Sequence, residues 1–170
     1  MLRLPLWAEQ VLSLPISAFM AFLVLVMWVL LTPRFEISFA SGEQIAAAFA
    51  LVALSGTFLQ FTTHPRMGLS HQSVLGVWPS RLAFYTAHLS KVTRRNLIAT
   101  SLLPFFVLAI LPLVVAATLR ISPGWLVFES CLAAMMFGDN VVLLTLPVWR
   151  LPAGCVIANR GFRAYWRLPQ

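Results

Sequence analysis

Four long apolar stretches dictate what this 170-residue chain can become. Val11–Leu31, Gln44–Thr63 and Leu97–Leu119 contain no Asp, Glu, Lys or Arg, and Gly124–Trp149 contains only Glu129 and Asp139. Each approaches or exceeds the roughly 20 residues an α-helix needs to cross the hydrocarbon layer. In lipid the backbone must satisfy its own hydrogen bonds, so runs of this length predict four spanning helices. Composition agrees. Hydrophobic residues make up 60% of the chain and charged ones 10%, whereas soluble domains carry about a quarter charged residues. The expected fold class is therefore an all-α membrane protein, one integral-membrane domain over residues 1–170.

The basic residues orient it. Ten of the twelve Lys and Arg lie in three places: Arg3 before the first run, five residues between runs two and three, and four after run four. The other two, Arg34 and Arg120, fall in the remaining loops. The positive-inside rule then predicts both termini, the loop 64–96 and the tail 150–170 on the cytoplasmic side. A net charge of +7 distributed this way serves topology and contact with anionic headgroups, and it requires no nucleic acid. Cys131 is expected inside the fourth helix on its non-cytoplasmic half and Cys155 beyond the helix on the cytoplasmic side, too far apart for a disulfide.

Along the chain, Met1–Gln10 reads as a short amphipathic lead-in. The first run is too long for a signal-peptide core, and the LTPRFE after it offers no small-residue cleavage site, so an uncleaved span is expected. Ser41 followed by Glu43 and Gln44 predicts a capped helix start with an acidic first turn. Small residues in AAAFALVALSG predict that the second helix is central in the bundle. Proline at position 65 ends that helix. The following segment, RMGLSHQSVLGVWPSRLAFYTAHLSKVTRR, is too polar and too interrupted by Gly68, Gly76 and Pro79 to span. Its Val74, Leu75, Val77, Trp78, Phe84 and Tyr85 predict short β segments or an interfacial re-entrant fold. Pro104 and Pro112 predict a kink in the third span. The tail, alternating basic and aromatic residues, is expected as a peripheral helix or extended segment on the membrane surface.

Few residues could carry chemistry. Asp139 stands out because an acid at membrane depth costs several kcal/mol on insertion scales unless paired or facing a polar cavity. Two readings follow: a metal or proton site, or a buried carboxyl bonded to Asn140, Gln60, Thr57 or His64. His64, His71 and His88 lack the i, i+4 spacing of a helical zinc pair and have no glutamate beside them. Ser70 beside His71 has no orienting third group, so a nucleophile is not supported. Glu9, Glu36, Glu43 and Glu129 are expected at the membrane edges, solvated.

The middle of the chain, from about Gln44 to Tyr165, carries an ordered set of short motifs. They are His64–Pro65, Gly68–Leu69–Ser70, Ser73–Val74–Leu75–Gly76, Trp78–Pro79, Phe84–Tyr85, Pro104–Phe105 and Gly138–Asp139. In this order the set resembles a bacterial family of integral-membrane, zincin-like zinc metallopeptidases of unknown function. The resemblance implies a membrane helix bearing His-Glu-x-x-His just before the His-Pro. Aligned on that His-Pro, Gly56, Thr57 and Gln60 occupy the places of the two histidines and the glutamate. Glycine offers no ligand, threonine is no base at neutral pH, and glutamine is a poor zinc ligand.

The expectation is thus a bacterial inner-membrane, multi-pass relative of those peptidases that lacks catalysis and has no catalytic residue, metal or cofactor. It would act by binding another membrane protein or a peptide segment held in the former active-site cleft, with Arg66–Arg95 as a docking surface. The alternative is an active metallopeptidase with zinc held by His64, His71 and Asp139. A small transporter subunit using Asp139 is a third reading.

Overall fold

The computed structural model describes residues 6–32, 41–78, 83–88, 92–121, 124–143, 148–152, 154–160 and 163–167. Four helical stretches are long and apolar enough to cross a membrane, as the runs predict. Helix α1 spans Leu6–Leu31, α2 Gly42–Thr62, and α5 Trp125–Leu143. The third stretch, 26 residues from Arg94 to Leu119, is composite. It comprises α3 (Arg94–Phe105), a π-helical turn (Phe106–Ile110) and α4 (Leu111–Leu119).

Local chemistry accounts for these boundaries. At the start of α2, Ser41 Oγ accepts from the Gln44 N–H while the Gln44 side chain accepts from the Ser41 N–H at 2.9 Å. This reciprocal capping box satisfies two backbone donors that helix geometry leaves open. The third helix begins three residues earlier than its apolar run, because Thr93 Oγ1 caps the Asn96 N–H. The expected kink takes a specific form. Pro112 has no N–H and its ring clashes with the carbonyl four residues back, so the ladder widens just ahead of it. The Leu111 N–H accordingly reaches Phe106 O, five residues back. At the far end, Arg120 takes a left-handed conformation (φ 52°) that lets the Ile121 N–H close on Ala116 O at 3.1 Å.

One buried cluster joins all four spans. Val24 and Trp28 of α1, Val52 of α2, Phe105, Ala109 and Leu113 of the third span, and Ala133, Ala134 and Phe137 of α5 meet there. The central helix is α5, which packs against α1, α2, α3, the π turn and α4. This corrects the expectation for α2, whose Ala46, Ala47 and Ala50 are exposed. Small residues on α5 permit its close approaches. A Cβ at Gly138 would lie 2.6 Å from the Met20 Cβ of α1, and the same closeness shows from the α2 side, where a Cβ at Gly56 would collide with the edge of the Phe137 ring. Between lipid-embedded helices such contacts carry association, since lipid tails are as apolar as leucine.

At the end where α3 begins, two small antiparallel sheets form. Strands β1 (Ser73–Trp78) and β2 (Ala83–His88) pair as a hairpin with Gly76 opposite Tyr85, realising the expected β segments. In the tail, β4 (Val156–Arg160) and β5 (Arg163–Arg167) form a second hairpin. Strand β3 (Val92–Thr93) pairs onto β4. Of the two options expected for the tail, the extended one holds over these strands and the helical one does not. Cys155 and Ile157, alternate residues facing one side, are buried with Val148 and Leu151 against Leu97 and Ile98. Cys131 and Cys155 are free thiols.

Candidate functional site

The last turns of α2 hold the positions aligned with a zinc motif. Gly56 is a packing residue, with the Phe137 ring of α5 lying where any side chain would have to go. Thr57 is buried, and its Oγ1 donates to the Ala53 carbonyl at 2.6 Å, so the hydroxyl is spent within its own helix. Gln60 is half-buried, and its carbonyl accepts from the Thr63 hydroxyl at 2.6 Å. The Thr63 and Thr100 hydroxyls stand 2.5 Å apart and tie α2 to α3. The helix thus turns polar near its end to close its own carbonyls and to bind its neighbour.

His64 follows directly. It is buried, its N–H donates to Phe61 O, and its carbonyl accepts from the Gly68 N–H at 3.3 Å across the 3₁₀ turn Pro65–Gly68. Its ring tilts against Phe61, centroids 5.9 Å apart. His71 is exposed in the turn before β1. The side chain of His88 lies outside the described residues. Ser70 and Ser73 hydroxyls bond to each other at 2.9 Å, away from any triad-like arrangement. Among the described residues no three His, Cys, Asp or Glu side chains come together to hold a metal, so His64, His71 and Asp139 are not gathered.

Asp139 has a partner the sequence reading did not name. Its Oδ2 accepts from Ser13 Oγ of α1 at 2.5 Å, and its Oδ1 accepts from the Asn140 N–H at 2.8 Å. Of the four expected partners Asn140 alone supplies a described bond, through its backbone. The signal for Ser13 was available: Ser13 and Ser17 are one helical turn apart in an otherwise apolar run, hence on one face. Glu129, expected to be solvated, is half-buried and accepts from Trp125 Nε1 at 2.8 Å, one turn back.

A second polar feature lies where α3 begins. Arg94 donates from Nη1 to the Leu151 carbonyl at 2.6 Å, while its guanidinium sits 5.5 Å from the Trp149 ring centroid. Its backbone N–H reaches Cys155 O. One residue thus fastens the third span to the tail, and the sequence reading counted it as a topological charge alone. The fold and these sites define a multi-pass membrane protein with four spans. Comparison of the chain with protein-family models, with curated proteins and with solved structures finds no match in any of the three.

Proposed function

We propose that this chain is a catalytically inactive relative of the membrane zincins, acting by binding a membrane-protein partner. The contact of Phe137 with Gly56 carries the reading. An imidazole at position 56 would collide with that ring, so α2 and α5 are packed for adhesion where a peptidase needs an open metal site. The charge distribution supports an inner-membrane setting with both termini cytoplasmic. The partner docks on the loop after α2, where Met67, Leu69 and Leu75 are strongly exposed, rather than in a cleft beside Gly56. Exposed apolar side chains at a membrane edge suit a protein or peptide-like surface.

The deciding measurement is the metal content of the detergent-purified protein beside an Asp139→Ala variant. Neither sample is expected to retain stoichiometric zinc. A ratio near one that falls in the variant would establish the alternative centre at His64, His71 and Asp139. For the docking surface, a photo-crosslinker at Leu69 should capture one defined membrane protein in native membranes. Retention of every co-purifying partner after deletion of residues 66–91 would defeat that part of the reading.

A further inference from the structure

A groove opens between the first turn of α3 and the segment leading into the tail hairpin, lined by Arg94, Arg95, Ile98, Trp149 and Gly154. We propose that it is a binding site for an anionic membrane phospholipid, the phosphate against the two arginines and the first acyl carbons along Ile98 and Trp149.

Charge comes first. Among the described residues no carboxylate pairs with Arg94 or Arg95, and the first turn of α3 contains no acid. Arg95 and the neighbouring Arg150 are exposed. The positive end of the helix dipole adds to the same field, so two cations stand where helix electrostatics favours an anion. Arg94 is held in place by Leu151 O and by the Trp149 face. Its geometry is therefore set before any ligand arrives, which lowers the ordering cost of binding.

Depth selects a lipid over a free anion. The third span has 26 residues, about 39 Å at helical rise, against a hydrocarbon core of about 30 Å. Its first turn consequently lies in the headgroup layer, where lipid phosphates are. Trp149, 63% exposed, is the aromatic type that sits at that level. Ile98, one turn inward, gives the groove an apolar wall that inorganic phosphate would not use. A phosphodiester with attached chains matches both halves.

Native mass spectrometry of the full-length protein in mild detergent tests this, with phosphatidylglycerol and phosphatidylcholine as probes. The anionic lipid should be retained preferentially. Arg95→Gln should weaken its retention about fivefold, the equivalent of about 1 kcal/mol per basic residue at an anionic surface. Trp149→Ala should weaken both lipids, while Arg120→Gln, at the opposite end of the same span, should change nothing. Equal retention of the two lipids, an unaltered Arg95→Gln protein, or an equal loss in Arg120→Gln would overturn the site. Displacement by millimolar inorganic phosphate would reassign it to a free anion and overturn the lipid.

Discussion

The α1–α5 seam and the Arg94-anchored tail are both small cores, yet they are built by different rules. In the seam, Ala133, Ala134 and Gly138 let α5 approach its neighbours, and the cross-helix hydrogen bond described there runs from Ser13 to Asp139. In the tail, Val148, Leu151, Cys155 and Ile157 close over Leu97 and Ile98. There a three-stranded ladder and Arg94 supply the hydrogen bonds. The physical cause is the solvent. Lipid gives no reward for burying leucine, so helices in it associate through close packing and scarce polar contacts. At the aqueous edge burial does stabilise, at about 25 cal/mol per Å², and a few aliphatic residues suffice to pin a hairpin.

The largest expected effect tests the packing rule. Gly56→Ala should destabilise the protein by about 3 kcal/mol, because the new methyl must displace a ring inside a filled seam. Thermal unfolding in detergent measures it, and in a Phe137→Ala background the same substitution should cost much less. A Gly56→Ala variant that melts like the wild type would mean that α2 and α5 are not in this contact.

Arg94→Gln should act next most strongly, and locally. Losing a charged hydrogen bond and a ring contact costs about 1.5–3 kcal/mol. Hydrogen exchange should therefore accelerate at residues 154–160 while amides of α1 and α5 stay protected. A parallel rise in all of them would show that the tail and the bundle unfold as one unit, not as two cores.

The smallest effect concerns Ser130, fully buried on α5, whose hydroxyl has no hydrogen-bond partner among the described residues. Ser130→Ala removes an unsatisfied group and should leave stability unchanged or raise it by up to about 1 kcal/mol. A clear loss in the same melting assay would reveal a hidden bond across the seam.

Much of the architecture could be read from residues alone, for reasons that are local. A charge-free run of membrane length has one way to satisfy its backbone, so the four spans follow directly. Ser41 and Gln44 form their cap within four residues. The β1 and β2 strands were signalled by the mixture of valine and aromatic residues in a polar loop interrupted by Gly68, Gly76 and Pro79. The tail hairpin carried a signal too, since a Gly-X pair (Gly161–Phe162) separates two extended runs. It was obscured by the alternation of basic and aromatic residues, which fits an interfacial segment equally well.

Partnership was not local, and there the sequence said less. The alanines of α2 read as a packing face, yet α5 became the hub, because the face a helix buries depends on which neighbours its small residues meet. Gly56 read as a vanished ligand, and only the ring of Phe137, 81 residues further along the chain, makes it a packing glycine. Asp139 announced a polar need that its own helix could not meet in full. Ser13, at the other end of the chain, supplies the remaining bond. Four membrane spans follow from the residues alone, because solvent and backbone chemistry act residue by residue. The tertiary structure alone decided which helix is central and what fills the space beside Gly56, because those are properties of pairs.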